Sequence, residues 1–322
     1  MLQGVRPSVE RLRKADGKVR VAVQPHWVGG PQLLIAIDSD LGRAAYDMVA
    51  ADLRTWLQTQ AKQDAIDLGW RVRLRGSLPG GEEPGSDVNV DGSVELGDFT
   101  TPRSRGDERL GSSRDLFRAD TLDQAFELVR GRQADQGDGV VEFALRLMAL
   151  WRLSWLDDAN LWAMSIVGHE FTNRGVFDPP ASARIANRLE GRLLSRLDQS
   201  GLMTAEPLGG HLADWVDALQ RSYDRYSQYA AEAPALFKSW GDEDASGPAP
   251  IADADGWWGP AARDPRRVIY RLIVNDAYDL QPIIGLPVVA RALACHVISR
   301  VLVKHLPAIH DDLRRIAREF AA

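Results

Sequence analysis

The first third of the chain combines short alternating segments with one amphipathic helix. Valines alternate with other residues over 19–23 and predict a strand, and the apolar run 32–37 after a Gly-Pro turn predicts a second strand. Residues 38–40 can cap a helix, and apolar residues at helical spacing predict that this helix covers 41–60. The pattern therefore indicates a small, mainly antiparallel sheet with one covering helix.

A further strand with a basic face is predicted over 70–75. Apolar residues alternate there with arginines, which is typical of a strand that is buried on one side only. The arginines on the exposed side are Arg71, Arg73 and Arg75. The Gly-, Pro- and acid-rich segment 76–112 follows as a predicted loop region, with one more strand pattern near 87–96.

From about residue 113 the hydrophobic period changes to that of helices. The predicted helices cover 123–130, 140–155, 160–171, 181–198, 212–231, 266–274 and 287–306. Long or polar breaks occur at 241–265 and 275–285. We therefore expect an α+β fold in a single composite domain over 1–322, with a sheet portion at 1–112 and a larger helical bundle at 113–322.

Composition limits the function class. A net charge of −6 with 45% hydrophobic residues is typical of a globular protein and does not favour nucleic-acid binding. A single cysteine, Cys295, excludes a disulfide within the chain and favours a reducing cytoplasm. Because no apolar run reaches the roughly 18 residues of a membrane span, we expect no membrane partner.

Common catalytic motifs are missing from the sequence. It contains no dinucleotide-binding glycine pattern, no phosphate-binding loop and no nucleophile elbow. His169 and Glu170 begin a zinc-protease pattern whose second histidine is replaced by Asn173. We therefore expect no metal and no cofactor.

Several polar or aromatic residues remain as candidates. Tyr270, Asp276, Tyr278 and Gln281 surround the helix break before Pro287 and can be either core residues or a site. Two histidines on predicted helices, two tryptophans in the long loop and one arginine in a basic turn are equally open to a structural or a functional interpretation. They are His169, His296, Trp257, Trp258 and Arg103.

In order along the chain, these pieces resemble the C-terminal, glutamate-eliminating domain of class I lantibiotic dehydratases and its standalone relatives. The segment from Arg103 to Phe117 has the spacing of the family's E-x-x-R-Y-G-G and E-x-x-F motifs. The segment from Ser165 to Phe171 is similar to its S-x-x-S-H-x-E-x-F motif, and 292–301 is similar to its closing S-L-x-H-M-x-x-N-R-L motif. The resemblance extends over about 19–318.

The departures from that family concern the charged residues that bind glutamate. Pro25 or His26 occupies the place of the first arginine, and Thr100 replaces the glutamate that partners the second. Cys295 falls on the catalytic histidine position, with His296 beside it. Without the cationic residues an anionic glutamate binds poorly. The chain is therefore more similar to thiopeptide pyridine synthases of the thiomuracin type, which keep the scaffold and catalyse a formal [4+2] cycloaddition.

This resemblance implies a specific substrate and reaction. The partner is a modified precursor peptide with a leader, azoles and two dehydroalanines, which react to a macrocycle whose central ring becomes pyridine after loss of water and leader. That reaction needs hydrogen-bonding groups at the azadiene and a general acid for elimination, and neutral tyrosines suit the first role. We therefore expect Tyr270, Tyr278 and His296 to be the catalytic groups, with Asp276 or Gln281 orienting them and His169 as a second-rank candidate. Substrate contacts fall to Trp257 and Trp258 for the azoles, to Arg103, and to the arginine strand (Arg71, Arg73, Arg75) for the leader. A homodimer is compatible with the sequence.

Two other functions stay open. A standalone glutamate-elimination protein would use Arg103, a second arginine and a histidine. A non-catalytic subunit that binds a precursor peptide for a partner enzyme would need none of the catalytic groups.

Overall fold

The computed structural model describes residues 2–26, 32–59, 108–134, 136–152, 166, 179–203, 207–234, 265–286, 288–306 and 311. The chain divides into two compact units, Met1–Pro102 and Arg103–Ala322. Whether the chain acts as one composite domain, as the sequence suggests, stays a prediction.

The first unit contains the predicted hairpin and its helix. Strands β1 (Arg20–His26) and β2 (Gln32–Asp38) pair antiparallel, with Val21 opposite Ile37. Helix α2 (Arg43–Thr59) follows close to its predicted bounds. The alternating pattern was sufficient here because Val21 and Ile37 are buried on the same face of the pair.

A helix that the sequence did not predict precedes the hairpin. Helix α1 (Leu2–Ala15) buries four apolar side chains at spacings of three and four residues, Leu2, Val5, Val9 and Leu12. Charged residues such as Glu10 and Arg11 lie between them on the exposed face, so the apolar helical spacing is hard to recognise in the sequence. α1 packs against α2, where the Ser8 hydroxyl donates to Asp52 at 3.0 Å.

The second unit is helical in its described part. Its elements are α3 (Glu108–Asp120), α4 (Leu122–Ala134), α5 (Gln136–Met148), a 3-10 turn (Ala149–Arg152), α6 (Pro179–Ser200), α7 (Gly210–Glu232), α8 (Pro265–Tyr278), α9 (Leu280–Ile283) and α10 (Val288–His305). A mostly helical structure with a small antiparallel sheet confirms the α+β class.

The centre of this unit is formed by contacts of α3 with α7, of α7 with α8, and of α5 and α6 with α10. The rings of Phe117 and Trp215 meet edge to face with centroids 5.6 Å apart. The Trp215 indole N–H donates to the backbone carbonyl of Arg146 at 2.9 Å, which connects α7 to α5. These contacts leave the carboxyl end of α8 next to α3, α7 and α10.

Two predicted boundaries in this unit are wrong. The loop expected to reach residue 112 ends earlier, since α3 begins at Glu108; its buried face includes Ser113 and Arg118, so an apolar repeat is missing there. The break expected from residue 275 is largely helical, because α8 continues to Tyr278 and α9 follows. The predicted strands at 70–75 and 87–96 lie outside the described residues, as do the loop 241–264 and all of the helix 160–171 except Ile166.

Candidate functional site

The candidates of the described region lie on three consecutive elements. Tyr270, Asp276 and Tyr278 are on α8, Gln281 is on α9 and His296 is on α10. All except His296 are buried, with exposed fractions of 4% or less, and His296 is half-buried. The remaining candidates lie outside the described residues and stay predictions: His169, Trp257, Trp258, Arg103, Arg71, Arg73 and Arg75.

Asp276 is the centre of a buried polar cluster. Its carboxylate is 0% exposed and accepts a hydrogen bond from the Arg114 Nε at 2.9 Å and from the Tyr226 hydroxyl at 2.6 Å. Burial raises the pKa of the Asp276 carboxyl, while the Arg114 guanidinium and the Tyr226 hydroxyl oppose that rise. The carboxylate joins α3, α7 and α8 and is enclosed by protein.

A second ion pair lies one turn beyond Asp276. Arg118 of α3 donates to Asp279 at 3.0 Å and to Asp115 at 3.1 Å. The Arg114 Nε also lies 3.6 Å from Asp279. Two arginines one turn apart on α3 therefore meet two carboxylates one turn apart at the end of α8, where cations also complement the helix dipole.

Tyr278 contacts two residues of α10. Its hydroxyl lies 3.5 Å from the Cys295 Sγ, and the Arg291 guanidinium lies over its ring at 5.2 Å from the centroid. Burial raises the pKa of Tyr278 well above its ordinary value, and the Cys295 thiol adds to that rise. Tyr278 is therefore neutral and placed beside the residue that precedes His296.

Gln281 has a structural contact in the turn between α9 and α10. Its side-chain amide N–H donates to the Leu286 backbone carbonyl at 3.1 Å, and the Gln281 backbone carbonyl accepts from the Leu286 N–H at 3.0 Å. Gly285 lies within this turn. Its φ of 71° is in the left-handed region that glycine adopts without steric cost, and this allows the tight turn before Leu286. Gln281 fixes this turn, whereas Asp276 contacts Arg114 of α3.

Tyr270 lies two turns before Tyr278 on α8. Burial raises the pKa of its phenol well above the ordinary value, and Tyr223 contributes in the same direction. Both α8 tyrosines therefore act as neutral hydrogen-bonding groups at neutral pH, not as bases. The structure places Tyr278 against Cys295 of α10, the residue before His296. Asp276 instead bonds to α3 and α7.

No group of three or more His, Cys, Asp or Glu side chains among the described residues is arranged to hold a metal ion. In the same residues no helix is long and apolar enough to cross a membrane. His296 is half-buried on α10 and follows Cys295, the residue that the Tyr278 hydroxyl contacts. A histidine in such a place can exchange protons and donate hydrogen bonds.

Sequence reasoning missed three members of this region: Arg114, Arg118 and Tyr226. Arg114 and Asp276 are 162 residues apart in sequence. Both arginines interrupt the apolar face of α3. In the sequence, this interruption was the one feature that could have marked them as site residues. Tyr226 occupies a position of α7 that fits an ordinary core residue.

Comparisons with known proteins show a likeness to two solved structures. TbtD, a pyridine synthase from thiomuracin biosynthesis, has a TM-score of 0.56 and 17% identity, over 95% of this chain and 94% of its own. TsrL has a TM-score of 0.59 and 13% identity, over 98% of this chain and 92% of its own. No protein-family model matches the sequence, and no curated protein sequence matches it. Over nearly its whole length, the chain has the fold of TbtD and TsrL.

Proposed function

We propose that the protein is a thiopeptide macrocyclase that forms a central pyridine ring. In this reaction one dehydroalanine reacts as an iminol 2-azadiene with a second dehydroalanine, and two carbon–carbon bonds close the macrocycle. Water and the leader peptide, as its C-terminal amide, then leave and the ring becomes aromatic. The observation that carries the proposal is the likeness in fold to a pyridine synthase over 95% of the chain.

The state of the buried arginines supports this reaction over glutamate elimination. Arg114 and Arg118 each have carboxylate partners, Asp276 and Asp279 among them. Carboxylate neighbours raise the pKa of Arg114 against the effect of burial, so the guanidinium stays charged and its charge is balanced within the protein. A glutamyl group that used Arg114 or Arg118 as its second arginine would have to replace these carboxylates, whereas an uncharged dehydroalanine pair needs no such exchange.

Much of the proposed catalysis consists of bringing the two dehydroalanines together. Holding two reacting groups in a productive geometry supplies roughly 7–11 kcal/mol in favourable cases. His296 is the described candidate with exposed surface, and we assign to it the proton transfer that accompanies elimination. Tyr278 and Tyr270 are the proposed hydrogen-bonding phenols.

The remaining assignments belong to the same proposal. Asp276 and Gln281 orient the α8–α9 segment, and His169 is a second-rank catalytic candidate. Trp257 and Trp258 stack on azole rings, while Arg103 and the arginine strand bind the precursor peptide and its leader. The scaffold is that of the lantibiotic dehydratase elimination domain, and the protein works in the cytoplasm without a cofactor in a pathway for ribosomally made peptides.

Mass spectrometry on a precursor with azoles and two dehydroalanines tests this function. Cyclisation gives a product that has lost water together with an intact amidated leader. Release of glutamate from a glutamylated precursor would instead establish elimination. An unchanged precursor that nevertheless binds would establish a non-catalytic binding subunit.

Two pairs of variants test the residue assignments. Tyr278→Phe should slow turnover with little effect on peptide affinity, and its control is Tyr46→Phe, which removes a hydroxyl that donates to the Ile37 carbonyl in the first unit. His296→Ala should slow turnover as well, with His305→Ala on the same helix as its control. Full activity of both Tyr278→Phe and His296→Ala would refute these assignments.

A further inference from the structure

The carboxyl end of α8 forms ion pairs with α3 on one side and contacts α10 on the other. Asp276 and Asp279 contact Arg114 and Arg118 of α3. Tyr278 lies between these two carboxylates in sequence and contacts α10. In a helix, residue 278 projects about 200° away from residue 276. The bonds to α3 therefore direct Tyr278 toward the opposite side of α8, where it meets Cys295.

The bonds to Asp276 fix the rotation of α8 as well as its place. Arg114 Nε binds the Oδ1 atom and the Tyr226 hydroxyl binds the Oδ2 atom, so each carboxylate oxygen has a donor from a different helix. A carboxylate with both oxygens bonded in this way has one orientation only. Because it is 0% exposed, Asp276 acts on a substrate only through other residues.

We propose that Arg114 and Tyr226 are positioning residues that, through Asp276, set the orientation of Tyr278 against Cys295 of α10, the residue before His296. The catalytic consequence rests on the proposed cyclase function, but the geometric consequence does not. Loss of either donor lets the carboxylate and the end of α8 rotate, which separates the Tyr278 hydroxyl from Cys295. Binding of the peptide elsewhere on the protein is unaffected by that rotation.

The single cysteine of the chain provides a direct readout of this packing. Cys295 is buried under Tyr278, so a thiol reagent such as Ellman's reagent reacts with it only when the structure opens. Tyr226→Phe removes one hydroxyl, and we expect at least a tenfold faster reaction of Cys295 than in the unmodified protein. Tyr46→Phe, which also removes one hydroxyl, is the matched control and should leave the rate unchanged.

A purely structural role of Tyr226 gives a different result. In that case thiol labelling accelerates only by the factor by which global stability falls, and urea unfolding of the same variant measures that factor. The positioning role predicts labelling that exceeds this factor at least several-fold, because the end of α8 moves without unfolding. Labelling that equals the loss of global stability, or that is unchanged, overturns the proposal.

Kinetics give the second readout. Tyr226→Phe should lower kcat for cyclisation about tenfold and change KM for the precursor less than twofold. A folded variant with the kcat of the unmodified protein overturns the proposal. If the unmodified protein forms no cyclic product, the proposed function fails, and the labelling comparison alone decides the positioning role. Arg114→Lys, which keeps the charge but changes the geometry, gives the same labelling test if Tyr226→Phe does not fold.

Discussion

Removal of Arg114 is the most informative stability experiment in the helical unit. Arg114→Met keeps the aliphatic stem and removes one donor from Asp276, which keeps the hydrogen bond from the Tyr226 hydroxyl. Loss of one partner of a buried ion pair costs about 3–5 kcal/mol. Because Arg114 is 20% exposed and Asp276 keeps one hydrogen bond, we expect a loss of about 3 kcal/mol in the free energy of unfolding at pH 8.

The loss should depend on pH in a defined direction. The Arg114 guanidinium opposes the rise in the pKa of Asp276 that burial causes, so its removal raises that pKa further. A carboxyl whose pKa is higher in the folded than in the unfolded state favours folding at low pH and loses that contribution as the pH rises. The cost of Arg114→Met should therefore be smaller at pH 5 than at pH 8, by about 1 kcal/mol or more.

Urea unfolding at both pH values measures this cost, and Arg300→Met is the matched control. Arg300 donates to Glu190 at 2.7 Å, but Glu190 also accepts hydrogen bonds from Lys304 and His305. We expect the control to cost about 1 kcal/mol. Equal losses in the two variants, or a loss for Arg114→Met that does not grow with pH, would refute the account of the cluster.

Three further sites test local contacts, and one of them has a matched glycine control. Gly4→Ala should cost about 1–2 kcal/mol, because a Cβ there overlaps the Trp56 ring, whereas Gly191→Ala in open space on α6 should raise the melting temperature. Burial raises the pKa of Glu190, but hydrogen bonds from its cationic neighbours lower it to about 2. Glu190→Gln should therefore cost about 1–2 kcal/mol at pH 7 after solvent screening, and this difference should vanish as the pH falls from about 4.5 to 2, as urea unfolding measures. Trp215→Phe should lower stability by about 1–3 kcal/mol in thermal unfolding, because a buried carbonyl loses the indole N–H.

Each of these has a contradicting outcome. A Gly4→Ala variant that gains stability as Gly191→Ala does would mean that the Trp56 ring moves at no cost. A cost of Glu190→Gln that persists at pH 2 would exclude ionisation as its cause. A Trp215→Phe variant as stable as the unmodified protein would mean that its hydrogen bond contributes no net free energy.

Local patterns predicted the elements whose buried faces are apolar and regular. The hairpin over Arg20–Asp38 follows from alternation, and α7 follows from its helical period. Helix α3 was not among the predicted helices, because its buried face includes Ser113 and Arg118, residue types that usually lie on the surface. Helix α1 was missed because charged residues separate its four apolar positions.

The candidate site was predictable only where its members are close in sequence. Asp276 and Tyr278 were singled out because they interrupt an apolar helical region. Arg114 and Tyr226, which determine the surroundings of Asp276, lie 162 and 50 residues away from it. Side chains from distant helices meet only after packing, so no spacing in the sequence encodes their contact.

The most direct test of the central claim is a time course by mass spectrometry with purified protein and a precursor that carries azoles and two dehydroalanines. We predict that a macrocyclic product and an amidated leader form together, in equal amounts, and that the amounts rise with protein concentration. Release of glutamate, or a precursor of unchanged mass at protein concentrations that saturate its binding, would contradict the claim.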